Sequence, residues 1–293
     1  MAAAAEADDY SATSRKMTPE LLAELCRSRG MWSQPHLNTT LFLNYKGFER
    51  IESLEEYVKV RCLHLGNNNI CRIEGLERMT ELKTLYLESN RITTIEGLDN
   101  NLDLRQINLE GNAITRVSGL SHLRRLDHIN LSSNQITSLE ALEELRDLPQ
   151  LHNVDFSRNK IEDGEGVVEF FAALTEVRLL RFHGNPCIRH VANYRKRLIN
   201  SLPSLGYLDE RPVFPMERRS CAAWESGGVE AMHQAKKDYV KERFCELGVD
   251  PERRELLTRR RKEAIARIER EEREKAEREA AEIEKSSEAQ ETP

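Results

Sequence analysis

The sequence has no run of about 18 or more apolar residues, the length that a helix needs to cross the hydrocarbon core of a membrane. Its N-terminus, residues 1–9, is rich in alanine and acidic residues and lacks the basic start and the apolar stretch of a secretion signal. These absences predict a soluble, cytoplasmic protein that does not use a membrane as its partner.

Paired cysteines and an excess of basic residues are also missing. The six cysteines are scattered and form no C-x-x-C pair, so neither a structural zinc site nor a redox-active dithiol is predicted. Lys and Arg number 44 against 50 Asp and Glu, for a net charge of −6. Since a nucleic-acid-binding domain usually carries a basic surface, nucleic acid is not the expected partner.

Motifs of catalysis are absent as well. The sequence contains no G-x-x-x-x-G-K-[ST] phosphate loop, no G-x-G-x-x-G fingerprint, no H-E-x-x-H and no G-x-S-x-G. The acidic run at residues 162–166 lacks the spacing of a calcium-binding loop, and it coincides with the lengthening of one repeat. His64, His128 and His183 fall about three strands apart, too far to share a metal ion. We therefore expect no enzymatic activity, no cofactor and no metal site.

What the sequence does contain is one recurring template, L-x-x-L-x-L-x-x-N-x-I-x-x-I. Its asparagine recurs at a constant step from Asn68 to Asn134, and then twice more, at Asn159 and Asn185, after slightly longer steps. An earlier unit, at residues 41–51, has Lys46 in the asparagine position. Seven such units predict an α/β fold: a curved leucine-rich-repeat solenoid with a parallel concave sheet.

Each position of the template has a physical reason. Leu85 and Leu87 alternate with other residues as in a short strand, and should point into the core. A buried asparagine where the chain leaves the strand can bond the free backbone groups of neighbouring turns, so this position is interpreted as structural. The predicted ladder comprises Asn68, Asn90, Asn112, Asn134, Asn159 and Asn185.

Both ends of the repeat array have the features of caps, because a solenoid must cover its two open ends. Thr18 and Pro19 are suited to the N-cap and first position of a helix at the N-terminal end. A helix carrying Leu198 and a final strand ending near Leu208 are predicted after the last repeat. The predicted organisation is a disordered segment (1–16), an N-terminal capping helix (17–36), the repeats (37–184) and a C-terminal leucine-rich-repeat cap (185–210).

The composition changes after residue 210. Two prolines in residues 211–220 push the residues before them out of helical geometry, so residues 211–250 are predicted to form an extended arm followed by a helix over 229–247. Residues 251–293 favour helix but are almost purely charged, with too few apolar residues for a coiled-coil seam. We expect a charged, solvated helical tail that ends in disorder.

Strand alternation predicts which side chains the concave sheet displays. Its central column changes from aromatic at the N-terminal end, through amide, to charged at the C-terminal end. Aromatic residues and arginine are common interface anchors, so Phe42, Tyr86 and Arg181 are the expected anchors. The alternative is that the face is polar for solubility and that the partner binds the tail. The predicted protein-binding surface comprises Phe42, His64, Tyr86, Glu88, Asn108, Asn130, Asp155 and Arg181.

Two kinds of motif carry a family resemblance. The constant repeat unit with I-x-x-I-E-G-L corners resembles the Sds22-like leucine-rich repeats. Two longer stretches, LNTTLFLNYKGFERIESLEEY at residues 37–57 and GYLDERPVFPMERRSCAAWESGG at residues 206–228, are similar to the family of axonemal dynein assembly factor 1. The resemblance covers roughly residues 17–245.

The resemblance implies a non-enzymatic role: helping the dynein arms of motile cilia or flagella to assemble in the cytoplasm. It implies protein partners, namely an axonemal dynein heavy chain, assembly co-factors or chaperones, and we expect the chain itself to be a monomer. Two alternatives stay open at this point. One is a structural component of the axoneme, like the leucine-rich-repeat light chain of the outer arm, and the other is a phosphatase regulatory subunit of the Sds22 type.

Removal of residues 252–293 should leave the remaining fold almost as stable as before. The segment has little apolar surface to bury, so we expect the melting temperature to shift by about 2 °C or less. Thermal unfolding of the full and shortened chains, followed by circular dichroism, measures this. A much larger drop would mean that the tail packs on the repeats.

Overall fold

The computed structural model of the chain describes residues 15–164 and 166–247, and after these residues 255, 256, 259, 260, 263, 264, 267 and 270. The chain divides into two compact units, Met1–Ala222 and Ala223–Pro293. The predicted disordered N-terminus lies outside the described residues except at its end, where Arg15 forms a parallel bridge with Phe48. The described residues of the predicted charged tail are helical, and the rest of that tail also lies outside the description.

The first unit is built on one nine-stranded sheet whose strands follow each other in chain order. The first eight strands are parallel to their neighbours, and the ninth pairs antiparallel with the eighth. The predicted solenoid is therefore confirmed. The strands are β1 (Thr40–Phe42), β2 (Cys62–His64), β3 (Thr84–Tyr86), β4 (Gln106–Asn108), β5 (His128–Asn130), β6 (Asn153–Asp155), β7 (Leu179–Arg181), β8 (Tyr207–Leu208) and β9 (Arg211–Pro212).

The helices lie between and around these strands. Within the continuously described ranges, the α-helices are α1 (Pro19–Ser28), α2 (Val167–Ala172), α3 (Tyr194–Ser201) and α4 (Pro215–Glu246), and short 3₁₀ helices span Pro35–Leu37, Glu140–Asp147 and Pro186–His190. The two longer repeats use their extra length for helix: the 3₁₀ helix Glu140–Asp147 precedes β6, and α2 precedes β7. None of the helices within the described residues is long and apolar enough to cross a membrane.

The core is a continuous stack of aliphatic side chains, one layer from each repeat. Leu85 and Leu87 are fully buried, and Ile92 on the return segment is buried with them. Around the two longer repeats the core contains phenylalanine side chains in addition to aliphatic ones. Phe171 of α2 contacts Phe182 edge-on at 4.9 Å between ring centroids and stacks with Phe156 at 6.3 Å.

The asparagine of each repeat hydrogen-bonds to the backbone of two turns. In the central repeat, the Asn112 side-chain amide donates to the carbonyls of Leu87 (2.9 Å) and Leu109 (3.0 Å), while its oxygen accepts the Ile92 N–H at 3.0 Å. The same pattern recurs along the chain, and all six side chains are buried. They are Asn68, Asn90, Asn112, Asn134, Asn159 and Asn185.

The glycine of the corner between repeats is required by close packing of the backbone. Gly97 has φ of +71°, a conformation that L side chains rarely adopt. A Cβ at this position would also clash with the carbonyl oxygen of Ile73 in the preceding corner. Successive turns can therefore approach each other there only without a side chain.

Helix α1 covers the N-terminal end of the core, as predicted. Thr18 is its N-cap and accepts the N–H of Leu21 at 3.3 Å, and Pro19 begins the helix. Leu22, Leu25 and Cys26 are buried beneath it. Burial raises the pKa of the Cys26 thiol, which lies 3.9 Å from the hydroxyl of Tyr57 in the first repeat.

The predicted extended arm over residues 211–220 is wrong from Pro215 onward, because α4 begins there. Proline disfavours helix for the residue before it, but at the first helical position its own missing N–H costs nothing. Arg195 of α3 holds the start of α4 by pairing with Glu217 at 2.7 Å. Arg218 donates to the carbonyls of Ile199 (2.8 Å) and Leu205 (2.6 Å), so this turn of α4 is part of the C-terminal cap.

The second unit contains the remainder of α4. Gly227 and Gly228 interrupt its helical geometry, and Gly228 has φ of +69° and ψ of −154°, a region open only to glycine. The helix resumes after them and ends at Glu246, close to the predicted helix over residues 229–247.

Replacing the central ladder asparagine should destabilise the fold. Asn112→Ala leaves buried carbonyls and a buried N–H without partners, at a cost of about 1–3 kcal/mol for each unsatisfied group. Equilibrium unfolding in urea gives the free energy. The matched control is Asn100→Ala, which removes one exposed hydrogen bond (3.1 Å, to the Glu77 carbonyl) and should change stability by about 0.5 kcal/mol or less. Equal losses in the two variants would contradict the structural role of the ladder.

Candidate protein-binding surface

The central column of the concave sheet is one straight row of side chains. The sheet register aligns Phe42 with His64, His64 with Tyr86, and so on through each strand to Arg181. The middle residue of each strand is buried and the residues beside it are not, so the row faces away from the core. The central row comprises Phe42, His64, Tyr86, Asn108, Asn130, Asp155 and Arg181.

The N-terminal part of the central row is an aromatic stack. The rings of Phe42 and His64 are 4.7 Å apart and inclined by 20°, and those of His64 and Tyr86 are 4.5 Å apart and inclined by 11°. The guanidinium of Arg29, which caps the C-terminus of α1, lies 5.7 Å from the centre of the Phe42 ring. We define Arg29, Phe42, His64 and Tyr86 as the aromatic ridge.

The surroundings of His64 in this ridge lower its pKa and so favour the neutral imidazole. Burial between its neighbours lowers the pKa of His64, and the nearby charge of Arg29 lowers it further. Its Nε2 lies 3.3 Å from the sulfur of Cys62, whose pKa is raised by burial. Both shifts favour the uncharged forms, whereas a nucleophilic cysteine is activated by a lowered pKa.

The middle of the row is built from amides fixed by neighbouring carboxylates. Asn108 donates to the carboxylate of Glu88 at 3.3 Å, and Asn130 donates to that of Glu110 at 3.2 Å. The oxygens of Asn108 and Asn130 accept the backbone N–H two residues ahead, at 3.2 and 2.9 Å. These side chains are therefore held rigidly before any partner arrives. Burial raises the pKa of Glu88, and the nearby charge of Glu110 acts in the same direction.

The C-terminal end of the row is an ion pair. Arg181 lies 3.3 Å from Asp155, whose other oxygen accepts both the N–H and the hydroxyl of Ser157. The Asp155 carboxylate is thus ordered by three donors, whereas the Arg181 side chain is exposed and contacts it from one side. Such an exposed pair contributes little to stability, which leaves the guanidinium available for contacts with a partner.

Sequence reasoning missed parts of this surface. Arg29 belongs to the capping helix, and only the fold brings it against Phe42. Tyr207 extends the concave face by one strand, in register with Leu179, and is 48% exposed; alternation around the buried Leu208 was the signal for it. Ser132 and Ser157 hold the position that Glu88 and Glu110 hold in their repeats, but they are buried.

The described part of the chain contains no group of three or more His, Cys, Asp or Glu arranged to hold a metal ion. The concave face presents groups that are already held in place: stacked aromatic rings, the hydrogen-bonded amides of Asn108 and Asn130, and the exposed guanidinium of Arg181. A parallel sheet of short strands with an asparagine ladder and two caps defines a leucine-rich-repeat binding scaffold.

Comparisons with known proteins agree with this class. A leucine-rich-repeat family matches residues 101–237, and a family of leucine-rich repeats in two copies matches residues 58–100. Since these matches together span residues 58–237, the chain belongs to the leucine-rich-repeat family. Within it, the predicted resemblance to axonemal dynein assembly factors is confirmed by relatives of that name.

Three of the similar proteins are from Chlamydomonas reinhardtii, Rattus norvegicus and Homo sapiens. The leucine-rich repeat-containing protein ODA7 of Chlamydomonas reinhardtii is 51% identical over 226 residues, which are 77% of this chain and 52% of that protein. Dynein axonemal assembly factor 1 of Rattus norvegicus is 49% identical over 286 residues, 98% of this chain and 45% of that protein. The Homo sapiens protein of the same name is 57% identical over 224 residues, 76% of this chain and 31% of that protein. The chain spans about half or less of the length of these relatives.

Among solved structures, internalin C2 of Listeria monocytogenes is similar with a TM-score of 0.53 and 22% sequence identity. The match covers 64% of this chain and 80% of that one. At this level of identity the likeness concerns the fold alone.

Proposed function

We propose that the chain is a non-enzymatic scaffold that helps axonemal dynein arms to assemble in the cytoplasm, before the arms reach a motile cilium or flagellum. The observation that carries this proposal is the identity of about half of all residues to proteins named dynein axonemal assembly factor 1, over most of this chain. The partner is a protein: an axonemal dynein heavy chain, or a co-factor or chaperone of its assembly.

The concave face is the part of the solenoid that we assign to this partner. Its side chains are held by hydrogen bonds and ring contacts with one another. Binding of a partner would therefore cost little conformational entropy for ordering them. Tyr86 on β3 and Arg181 on β7 lie toward opposite ends of the central row, so one docked segment that follows the row would contact both. Aromatic and arginine side chains in such positions commonly supply most of the binding energy.

Deletion of the protein in a ciliated cell tests the function. We expect assembled axonemal dynein arms to be lost and soluble heavy chain to fall, while other axonemal proteins are delivered normally. Immunoblots of cytoplasm and of salt-extracted axonemes measure both. Unchanged arms would refute the proposal, and recovery of the protein itself with salt-extracted arms would instead favour a structural component of the axoneme.

Rescue of the deleted cells separates binding from folding. The double variant Tyr86→Ala with Arg181→Ala loses one exposed ion pair and one ring contact, which together stabilise the fold by about 1 kcal/mol, so it should fold. If each side chain anchors the partner, binding should weaken by about 1–3 kcal/mol for each truncation and arms should not be restored.

The control for this rescue is Arg72→Ala, which breaks a comparable exposed pair with Glu96 (2.8 Å) on the return segment of a repeat, away from the concave row. It should restore arms as wild type does. A folded double variant that also restores arms would show that the concave row is not the binding surface.

A further inference from the structure

Three basic residues precede strands β2 to β4, beside the part of the central row that runs from His64 to Asn108. Arg61, Lys83 and Arg105 each occupy the residue directly before a strand, β2, β3 and β4, and successive backbone hydrogen bonds of 2.9 and 2.8 Å place them on adjacent turns. Arg61 is paired with Glu81 at 2.9 Å. In the part of the chain that the structure describes, Lys83 and Arg105 have no carboxylate within ion-pair distance. We define these three residues as the basic edge.

The acidic groups on the other side of the row are already engaged. Glu88 and Glu110 follow β3 and β4 by two residues, and each accepts a hydrogen bond from an asparagine of the central row. Glu88 is half-buried, and a Cβ at position 66 would clash with its carboxylate, so Gly66 provides the space in which it lies. These carboxylates are therefore already hydrogen-bonded within the sheet, whereas Lys83 and Arg105 of the basic edge are available to bind a partner.

The aromatic ridge between them presents ring edges. The ring separations of 4.5 and 4.7 Å match the spacing of neighbouring strands, so the rings stand upright across the row with their faces against each other. Aromatic faces are electronegative and edges are electropositive. With these faces covered and Arg29 over the ring of Phe42, the exposed edges favour oxygen acceptors over cations, and their carbon atoms offer apolar contact.

We propose that this N-terminal half of the concave face, the aromatic ridge with the basic edge, recognises an acidic amphipathic helix of the protein partner. The inference rests on the proposed function and names the chemistry of its partner. Apolar side chains of the helix would lie on the ridge, and its carboxylates would face Lys83 and Arg105.

The dimensions suit a helix. From β1 to β4 the surface spans three strand spacings, about 14 Å, which corresponds to roughly ten residues of helix. Along β2, β3 and β4 the basic edge precedes the central row by three residues, about 10 Å, which is close to the diameter of a helix with its side chains. A helix with an apolar stripe and carboxylates along one flank therefore fits both the aromatic ridge and the basic edge.

Two stapled peptides test the inference against the full chain. Each is about 14 residues long, or roughly four turns of helix, with leucine at positions three and four apart on one face and charged residues on the flank of that face. One carries glutamate there and the other lysine, and fluorescence anisotropy of a terminal label reports binding. We expect the glutamate peptide to bind about tenfold more tightly at low salt, and the difference to shrink as salt screens the charges.

Charge reversal locates the effect. Lys83→Glu with Arg105→Glu should abolish or invert the preference for the glutamate peptide, and Lys83→Gln with Arg105→Gln serves if the reversal impairs folding. The matched control is Arg91→Glu with Arg116→Glu, two exposed residues of the return segments, which changes the net charge equally and should keep the preference.

Several outcomes would overturn the inference: equal binding of both peptides, tighter binding of the lysine peptide, or an equal loss in the control variant. A single-stranded oligonucleotide probe is included, because phosphates also suit cations; binding of the oligonucleotide in preference to the glutamate peptide would overturn it too. The proposed function is tested separately, and it would survive any of these results if deletion of the protein still removes the dynein arms.

Discussion

The fold depends on one repeated interaction, the hydrogen bonds of a buried asparagine with the backbone of its own turn and of the turn before it. A short strand flanked by irregular backbone leaves carbonyls and N–H groups that no neighbouring strand satisfies. Asn112 satisfies three of them at 2.9–3.0 Å in a site closed to water. Because the same side chain connects two turns, it also sets the offset between them.

That offset is what makes the concave face a straight row. Side chains alternate between the two faces of each strand, so a slip of one residue would move the row into the core and expose the buried leucine, isoleucine or valine at the centre of the strand. With the register fixed, side chains at equal positions meet across the sheet at the strand spacing. The stack of Phe42, His64 and Tyr86 and the bonds from Asn108 and Asn130 to their carboxylates follow from this alignment.

The proposed binding surface thus has two halves with different chemistry on one rigid support. The N-terminal half combines ring edges with nearby cations, and the C-terminal half ends in the pair of Asp155 with exposed Arg181. The C-terminal cap keeps that second half in place. Arg195 of α3 donates hydrogen bonds to a carbonyl of β8 and to Glu217 of α4. Arg218 of α4 donates to carbonyls at the end of α3. These bonds join the cap to the first turns of α4.

By itself the sequence determined the repeats, the buried positions, the capping helix and the residues of the central row, because strand period and repeat length are local patterns that survive without coordinates. Only the tertiary structure decided how those residues act together. Arg29 reaches Phe42 because α1 packs on the end of the core, and Ser132 and Ser157 are buried at a position where Glu88 and Glu110 are partly exposed. Pro215 begins a helix rather than extending an arm because Arg195 and Arg218 hold that turn against the cap. Each of these depends on groups distant in the chain, and a pattern of neighbouring residues carries no information about the distance between them.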